Sequence, residues 1–587
     1  MADSLVRSGA RPKTCHIDAA MECVIRYIDD PKDRSAVSLV CRRWHKLDSL
    51  TRKHVTVAFC YTTTPERLRG RFPRLESLKL KGKPRAAMFN LIPEDWGGHV
   101  TPWVREISEG FEFLKSVHFR RMIVRDSDLE LLARSRGHVL EALKLDKCSG
   151  FSTDGLLFVT RFCRNLRVLF LEESTIVEKD CEWLHELALN NTVLETLNFY
   201  LTDIAAVKFQ DLELIAKNCP NLVSVKITDS EVLDLVNFFC YASALEEFSG
   251  GSYNCEPDKY NAVVLPEKLH RLGLTYIGGN ELPVVFSCAS GLTKLDLLYS
   301  FLDSEDHCML IERCPNLEVL ESRNVIGDRG LEVLARCCKR FKRLRIERDS
   351  DEVGTSVTHK GLIALSQGCP ELEYLAVYVS DMTNACLEHI GTHCKNLYDF
   401  RLVLLDHREK ITDLPLDNGV RALLMGCDKL IRFALYLRPG GLTDKGLGYI
   451  GKYSQNVRWM LLGYLGESDA GLLEFSKGCP NLQKLEMRGC YHFSERALAA
   501  AATQLASLRY LWVQGCGQST SRGDLVAMAR PFWNIELIPS RRVIANDESR
   551  GPVAVEHPAH ILAYFSLAGQ RSDFPDSVVP LDSTTRV

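Results

Sequence analysis

One apolar pattern returns along most of this chain and constrains its fold more than any other feature. The spacing L-x-x-L-x-L, or a close apolar variant, recurs about every 25 residues from Leu75 to the Trp533–Pro539 region. The first apolar residues of these repeats form a series: Leu75, Leu114, Leu140, Leu166, Leu194, Leu222, Leu245, Leu269, Leu292, Leu317, Phe341, Leu372, Leu397, Leu430, Val457, Leu482, Leu508 and a degenerate Ile535. Such a period predicts a solenoid with one strand and one helix in each of about 18 repeats.

Cys-Pro motifs mark the ends of the predicted helices. Four clear examples are Cys219-Pro220-Asn221-Leu222, Cys314-Pro315-Asn316-Leu317, Cys369-Pro370-Glu371-Leu372 and Cys479-Pro480-Asn481-Leu482. Proline cannot continue a helix, and cysteine behaves as a small apolar residue. We therefore predict an α/β leucine-rich-repeat solenoid, shaped as a horseshoe or ring, over residues 58–543. A disordered segment (1–14) and a small helical domain (15–57) precede it, and a cap and tail (544–587) follow.

Composition limits the function classes. The chain has 587 residues, 46% of them hydrophobic and 25% charged, and its formal net charge is only −3. No overall field directs it to nucleic acid or to a membrane surface, so any basic site has to be local. The 22 cysteines fall at repeat positions rather than in a disulfide framework. We expect a reduced, soluble, intracellular protein.

The segment from Ile17 to about Asp48 differs from the repeats. Its apolar residues are spaced for short packed helices joined by a turn at Asp30–Arg34. It resembles an F-box, the helical module that docks on a Skp-type adaptor of cullin ubiquitin ligases. The likeness rests on Ser38-Leu39-Val40-Cys41-Arg42-Arg43-Trp44, whereas His16-Ile17-Asp18 replaces the usual Leu-Pro start. Leu39, Val40 and Trp44 are the expected adaptor contacts, and a helical cap for the solenoid is the alternative.

Catalytic motifs are weak throughout the sequence. Gly446 and Gly451-Lys452 fit G-x-x-x-x-G-K, but Tyr453 follows where Ser or Thr is required, and the segment has the pattern of a repeat helix. The sequence has no C-x-x-C pair, H-E-x-x-H motif or nucleophile elbow. We expect a binding protein without metal rather than an enzyme.

The repeat register predicts which side chains line the concave face. The apolar anchors point into the core and the intervening residues point outward. One inner surface then collects many cations: Lys79, Lys81, His118, Arg120, Arg121, Arg343, Arg345, Arg401, Lys484, Arg488 and Arg509. Like charges a few ångströms apart repel by roughly 1 kcal/mol per pair even in water. Although a solvated surface would explain any single lysine, the whole set favours an anionic ligand with apolar parts.

Three spacings exceed the period: Leu75 to Leu114, Phe341 to Leu372, and Leu397 to Leu430. Extra residues in a solenoid leave as loops on one face, often the binding face. The first insertion contains Lys81–Pro93 followed by Trp96-Gly97-Gly98. We expect this loop to floor a pocket inside the ring.

Four segments carry a closer resemblance. Gly82–Pro93, Tyr374–Asp381, Asp399–Asp406 and Trp459–Tyr464 are similar to the coronatine-insensitive family of plant jasmonate receptors, and the likeness extends from the F-box to His557–Tyr564. It implies a substrate-recognition subunit of an SCF-type ligase that acts in the nucleus and also the cytoplasm. It also implies that a jasmonoyl–amino acid conjugate, or coronatine, binds together with the degron of a JAZ transcriptional repressor.

The resemblance also implies site residues. Arginines for the carboxylate and amide oxygens match Arg85, Arg345 and Arg401. Hydrogen-bonding tyrosines match Tyr378 and Tyr436. Pocket walls match Ala86, Phe89, Leu91, Val403, Trp459, Leu461 and Arg488. The family's basic residues that hold an inositol polyphosphate, expected as a pentakisphosphate, correspond to Lys79, Lys81, His118, Arg121, Arg343, Lys484 and Arg509.

Three alternatives remain at this stage. Auxin receptors share the Gly-Lys-Pro loop and Trp-Gly-Gly, but Arg85–Met88, Tyr378 and Tyr436 favour jasmonate. A scaffold that binds inositol phosphate without ligase function would lack a reason for the F-box. An enzyme acting on inositol phosphates would lack a placed acid, base or metal.

Overall fold

The computed structural model describes residues 16–28, 30–179, 182–205, 207–228, 230–348, 356–404, 413–516, 534–538, 560–563 and 575. The predicted segment 1–14 lies outside these residues, as does most of the predicted cap and tail. Two of the three predicted insertions also fall partly outside, at 349–355 and 405–412. Among the described residues, no helix combines the length and apolar character that crossing a lipid bilayer requires.

Three helices form the N-terminal module: α1 (His16–Arg26), α2 (Pro31–Val40) and α3 (Arg42–Thr51). The carboxylate of Asp48 is fully buried behind them and accepts from Arg34 Nε at 2.9 Å. Arg71, from the first repeat, donates to the second Asp48 oxygen at 3.1 Å. Removing one partner of such a buried ion pair costs about 3–5 kcal/mol. Asp48 therefore joins the helical module to the solenoid.

The described part of the chain then contains 22 strands, numbered β1 to β22: His54–Val57, Ser77–Lys81, Ser116–Arg120, Ala142–Asp146, Phe151–Ser152, Val168–Phe170, Ile176–Val177, Thr196–Asn198, Ser224–Lys226, Glu247–Ser249, Arg271–Thr275, Lys294–Tyr299, Val319–Arg323, Arg343–Glu347, Tyr374–Tyr378, Asp399–Val403, Arg432–Tyr436, Trp459–Gly463, Lys484–Arg488, Tyr510–Gln514, Asn534–Ile538 and His560–Ala563. All except β5 and β7, which pair with each other, form one sheet of 20 strands.

That sheet is parallel from β1 to β21, with each strand next to its successor along the solenoid, and β22 adds antiparallel to β21. A strand follows or includes each of the eighteen predicted anchors, which confirms the repeat pattern. Two details differ from the sequence prediction. His54–Val57, within the range predicted as the helical module, pairs with β2 as the first strand of the solenoid. Ile535 pairs with Leu511, so it holds the second apolar position of its repeat rather than the first.

Sixteen further α-helices, α4 to α19, are described on the outside of the solenoid: Pro65–Arg71, Thr101–Gly110, Asp126–Arg136, Thr153–Phe162, Trp183–Asn190, Phe209–Asn218, Val236–Tyr241, Pro283–Phe286, Ser304–Glu312, Gly327–Cys337, His359–Gly368, Asn384–His393, Asp417–Gly426, Asp444–Tyr453, Asp469–Ser476 and Glu495–Gln504. Short 3₁₀ helices lie at Arg85–Phe89, Val232–Leu235, Pro257–Ala262, Gly279–Glu281, Ala289–Gly291 and Asn324–Ile326. Leucines from both layers fill a continuous core between sheet and helices.

An aspartate near the start of one helix often caps the next helix. Asp417, the first residue of α16, accepts from the backbone N–H of Thr443 at 3.0 Å and from its hydroxyl at 2.5 Å. Thr443 is in turn the N-cap of α17. The same double contact joins four more pairs: Asp126 with Ser152, Asp328 with Thr358, Asp444 with Ser468, and Asp469 with Ser494. These bonds satisfy donors that a helix start leaves unpaired.

Cysteines close many of the helices, both at Cys-Pro motifs, where Cys219 and Cys369 are the C-caps of α9 and α14, and at repeats that lack the proline. Cys338, the C-cap of α13, donates its thiol to the Cys314 carbonyl at 3.3 Å, and Cys427, the C-cap of α16, donates to the Cys394 carbonyl at 3.4 Å. Burial raises the pKa of the Cys338 and Cys427 thiols to about 12. We call the capping aspartates and these cysteines the outer ladder.

Candidate functional site

The sheet register aligns outward side chains of successive strands in three columns on the concave face. The first column contains Arg343, Tyr374, Asp399, Arg432, Trp459, Lys484 and Tyr510. The central column contains Glu321, Arg345, Ala376, Arg401, Ala434, Leu461, Glu486, Trp512 and Glu536. The last column contains Tyr378, Val403, Tyr436, Gly463, Arg488 and Gln514. This pairing places Arg343, Arg345, Arg401, Lys484 and Arg488 at intervening positions of their strands, as the repeat register predicts.

The first insertion crosses to the far end of the solenoid. The backbone N–H of Ala86 donates to Glu536 Oε2 at 2.9 Å, and that of Arg85 donates to Glu536 Oε1 at 3.2 Å. The Arg85 guanidinium forms an ion pair with Glu486. Both carboxylates are almost fully buried. Residues about 450 positions apart in the chain therefore meet on one surface, and Lys81–Pro93 lies inside the solenoid as predicted.

Aromatic and cationic groups pack around the crossing segment. The Phe89 ring lies edge-on to Trp512 with a centroid separation of 5.6 Å. The Arg488 guanidinium lies 4.6 Å from the Phe89 centroid and 5.1 Å from that of Trp512. Phe89 remains 36% exposed, whereas Ala86 is fully buried and Leu91 is 3% exposed. Phe89 thus presents a face to the interior space, while Ala86 and Leu91 anchor the loop in the core.

Arg401 lies at the centre of the concave face. Its Nε and one terminal nitrogen each donate to a separate oxygen of Asp399 at 2.8 Å. The guanidinium also lies 5.0 Å from the Trp459 centroid and 5.4 Å from that of Tyr374. Burial lowers the pKa of Arg401, but hydrogen bonding and charge attraction from Asp399 outweigh it and leave the pKa raised. Asp399 therefore fixes a permanent cation beside two aromatic rings.

Arg345 and Arg85 are held in the same way. Arg345 donates to Glu321 at 2.9 Å and forms an ion pair with Glu347. Arg85 pairs with Glu486, whose Oε1 also accepts from Trp459 Nε1 at 2.9 Å. A guanidinium has five N–H donors, so each of these arginines keeps donors for a ligand oxygen after pairing with its carboxylate.

Tyrosines line the last column. Tyr436 stacks on Tyr464 with centroids 5.4 Å apart and planes inclined by 22°. Burial and the neighbouring Tyr464 raise the pKa of Tyr436 to about 12, so its phenol stays protonated at neutral pH. Tyr378 is 8% exposed on the adjoining edge, and Val403 and Leu461 are half-buried between the arginine and tyrosine positions.

A basic cluster lies where the two ends of the solenoid converge. Burial, followed by the charges of Lys484, Lys79, Arg120 and Arg121, lowers the pKa of Lys81 to about 8. Burial also lowers the pKa values of Lys79, His118, Arg121 and Lys484, and neighbouring cations contribute to each. Burial is the main cause of these lowered pKa values, and the neighbouring cations add a mutual repulsion that a bound anion would relieve.

Two predicted polyanion residues have other described contacts. Arg343 donates to the Tyr398 hydroxyl at 3.1 Å and lies 4.7 Å from the Tyr374 centroid. Arg509 donates to the carbonyl oxygen of Leu508 at 2.9 Å. The structure thus gathers Lys79, Lys81, His118, Arg121 and Lys484 into the basic cluster, with Arg343 in the first column and Arg509 beside Tyr510.

Three carboxylates were missed by the sequence prediction. Asp399, Glu486 and Glu536 are at most 2% exposed and position the arginines and the crossing segment. Each occupies an outward column position, as the register in the sequence already indicates. The prediction named cations, aromatic rings and apolar side chains as ligand contacts, so the acids that orient the cations were overlooked.

The helical module exposes an apolar patch. Leu39 and Val40, at the end of α2, are 85% and 61% exposed, and Trp44 in α3 is half-buried. Val24 and Tyr27 add 58% and 85% exposed apolar side chains. Large exposed apolar areas are typical of protein–protein contacts, so these side chains are candidates for one.

Comparison with known proteins identifies the relatives of this chain. Residues 13–54 match the F-box model and residues 73–119 match the model described as the Transport inhibitor response 1 protein domain. Over 571 residues the chain is 66% identical to Coronatine-insensitive protein 1 of Arabidopsis thaliana, with 96% of both chains covered. The chain belongs to the coronatine-insensitive protein family.

More distant relatives agree with this placement. Coronatine-insensitive protein homolog 1b of Oryza sativa subsp. japonica is 59% identical over 96% of both chains. GRR1-like protein 1 of Arabidopsis thaliana is 35% identical, with 95% of this chain and 96% of the relative covered. As an F-box member of the coronatine-insensitive family, the chain is a non-catalytic substrate-recognition subunit of an SCF ubiquitin ligase, which engages a Skp-type adaptor and a cullin core.

Proposed function

We propose that this chain is a jasmonate co-receptor in which jasmonoyl-isoleucine, or coronatine, binds between the crossing segment and the three columns. The observation that carries the proposal is that Arg401 lies beside Trp459, with Arg345 two strands away in the same column and Arg85 on the crossing segment that also carries Phe89. The conjugate has a carboxylate and an apolar body. Arginine donors suit the carboxylate, while aromatic faces suit the apolar body.

The buried acids make this pocket rigid before the ligand arrives. Asp399 fixes Arg401, and Glu536 holds the backbone of Arg85 and Ala86. Preformed geometry lowers the entropy lost when a ligand binds. Tyr378 and Tyr436 are proposed to hydrogen-bond the amide and keto oxygens. Val403, Leu461 and Arg488 are proposed to complete the walls.

The second partner is the degron peptide of a JAZ repressor. A conjugate of roughly two dozen heavy atoms at about 0.3 kcal/mol per atom provides about 7 kcal/mol, which corresponds to about 10 µM. A peptide that covers the exposed edge of the ligand supplies further affinity. We therefore expect tight hormone binding only when the degron is present. Ubiquitination of the repressor would follow, and because the substrate is a transcriptional repressor, we expect the complex to act in the nucleus and also to occur in the cytoplasm.

An inositol polyphosphate is proposed below the hormone. Lys79, Lys81, His118, Arg121 and Lys484 form the basic cluster that supports this part of the proposal. A pentakisphosphate would bring enough negative charge to offset the mutual repulsion of these groups. Its presence would also connect the two ends of the solenoid, since Lys81 and Lys484 come from opposite ends.

The test uses the chain purified with a Skp-type adaptor and a fluorescent JAZ degron peptide. The peptide is titrated without hormone, with jasmonoyl-isoleucine and with auxin, each in the presence of inositol pentakisphosphate. Saturable binding is expected only with jasmonoyl-isoleucine. Equal degron affinity with and without this hormone would contradict co-reception. Binding with auxin alone would establish the related receptor class instead.

A further inference from the structure

Two cysteines, Cys490 and Cys516, lie next to each other just beyond the ends of the neighbouring strands β19 and β20. Arg488 and Gln514 are paired in the sheet, and each is followed by a glycine with positive φ, Gly489 at 61° and Gly515 at 62°. Cys490 and Cys516 come next, at equivalent positions. The Gly489 N–H donates to the Gln514 carbonyl at 2.7 Å, so the two backbone segments are still hydrogen-bonded to each other beyond the ends of the strands.

Neighbouring strands lie about 4.8 Å apart, which falls within the Cα separation of about 4.4–6.8 Å that a disulfide spans. Each thiol donates to the carbonyl two residues before it, Cys490 to Arg488 at 3.5 Å and Cys516 to Gln514 at 3.7 Å, so the two side chains are directed in the same way from neighbouring backbone positions. Cys490 is 1% exposed, whereas Cys516 is partly exposed and opens the pair to solvent. Both sulfurs can therefore reach each other without rearrangement of the sheet.

Buried cysteines at the helix ends differ from this pair in what their thiols contact and in the direction of their pKa shifts. Cys338 and Cys369 also come from successive repeats, but Cys369 directs its thiol to the Cys338 carbonyl at 3.7 Å. Burial raises the pKa of both thiols to about 12, which keeps them in the unreactive protonated form. By contrast, the neighbouring Cys516 thiol lowers the pKa of Cys490, and the Cys490 thiol raises that of Cys516.

We propose that Cys490 and Cys516 form a reversible disulfide that is a redox modification site of this chain. The oxidant is a hydroperoxide such as hydrogen peroxide. The Cys490 thiolate attacks one peroxide oxygen, the O–O bond breaks, and the released hydroxide takes up a proton to become water. Cys516 then loses its proton and attacks the sulfenic sulfur, expelling hydroxide, which takes up that proton as a second water. Two thiols and one peroxide give one disulfide and two waters.

The bridge would connect two strands that form a wall of the concave face. Cys490 lies two residues after Arg488, and Cys516 lies four residues after Trp512. Arg488 and Trp512 hold the Phe89 ring. A covalent link between the ends of β19 and β20 therefore restricts motion at the position where the crossing segment meets the far end of the solenoid.

Peptide mapping of the adaptor complex tests the site. The complex is treated with hydrogen peroxide, denatured, alkylated and digested with trypsin without reduction. Cleavage after arginine places Cys490 in peptide 489–496 and Cys516 in peptide 510–522. We expect a cross-linked species two hydrogens lighter than the sum of these peptides, which disappears after dithiothreitol treatment. Recovery of both peptides fully alkylated, at peroxide concentrations that oxidise the exposed Cys240, would overturn the proposal.

Matched controls come from the same protein. Cys338 and Cys369 should remain alkylated and unlinked at every peroxide concentration that links Cys490 to Cys516. Cys516→Ser should abolish the link, and Cys240→Ser should retain it. The peroxide-treated wild type should melt at a higher temperature than peroxide-treated Cys516→Ser, because the bridge constrains the unfolded chain. An equal frequency of Cys338–Cys369 linkage would show that oxidation is unselective and contradict the assignment.

Discussion

The outer ladder and the three columns of the concave face are built from the same repeats but in opposite ways. On the outside, Asp417 and Thr443 form a contact that other repeats reproduce with aspartate and serine or threonine. On the inside, the central column changes from arginine to alanine, leucine, glutamate and tryptophan along consecutive strands. Residues that recur with the repeat stabilise the solenoid, whereas residues that change from strand to strand line the proposed binding surface.

The largest effect on hormone-dependent degron binding should follow from a change on the concave face. Arg401→Ala removes a half-buried cation from beside Trp459 and leaves Asp399 without its bidentate partner. Loss of a hydrogen-bonded charge at a binding site costs about 2–5 kcal/mol, so hormone-dependent degron affinity should fall about 100-fold or more. Fluorescence anisotropy measures this affinity. Adaptor binding should be unchanged. A simultaneous loss of adaptor binding would indicate misfolding, and the variant would then not separate the role of the concave face from that of the outer ladder.

A change in the outer ladder should instead lower the stability of the fold and leave degron affinity nearly unchanged. Asp417→Ala leaves the backbone N–H and hydroxyl of Thr443 without their acceptor at the start of α17. The expected loss is about 1–3 kcal/mol in the free energy of unfolding. Thermal denaturation should show a lower Tm, while degron affinity measured well below that Tm stays within about twofold of wild type. A larger loss of affinity in the folded variant would mean that the outer ladder takes part in binding.

The basic cluster predicts opposite pH dependences for stability and binding. Since the pKa of Lys81 falls from 10.5 to about 8 on folding, the unfolded chain binds more protons between these values. The Lys81 contribution to the free energy of unfolding therefore rises as pH increases from about 8 to about 10.5. Affinity for inositol pentakisphosphate should fall over the same range because the ammonium is lost.

Calorimetric titration at pH 7 and pH 9 measures that fall in affinity. Lys81→Met is the control, and it should reduce both the decline of affinity and the rise of stability. The proposal for the cluster would be contradicted if affinity increased with pH in the wild type and not in Lys81→Met.

The smallest effect should come from Arg509. Its guanidinium donates to the main-chain carbonyl of Leu508 and is exposed, so Arg509→Ala should weaken polyphosphate binding by less than about fivefold. Lys484→Ala should weaken it more, because Lys484 is coupled to Arg121 and Arg85. Equal losses from the two variants, measured by the same calorimetry, would place Arg509 within the basic cluster.

Much of this architecture could be predicted because the same spacing of apolar residues occurs in repeat after repeat. The leucine period gave the strands, and alternation within each strand gave the outward positions of Arg345, Arg401 and Tyr436. The Cys-Pro motifs correctly marked helix ends. These features depend on spacing within one or two repeats, which a single sequence shows directly.

Contacts between distant repeats could not be predicted in the same way. Ala86 and Glu536 meet because the curvature accumulated over the whole solenoid brings its ends together, and no local pattern specifies that curvature. The roles of Asp399 and Glu486 also depend on pairing across strands rather than on their own repeats. The adaptor contacts Leu39, Val40 and Trp44, and the ligand contacts named above, stay predictions.

Hydrogen exchange of the adaptor complex, followed by mass spectrometry, tests the division between the two regions most directly. Exchange is compared without ligand and with jasmonoyl-isoleucine plus degron. Our account predicts new protection in segment 82–93 and at the ends of β15 to β19, with little change in helices α14 to α18. Protection confined to those helices, with no change in segment 82–93, would contradict the assignment of binding to the concave face.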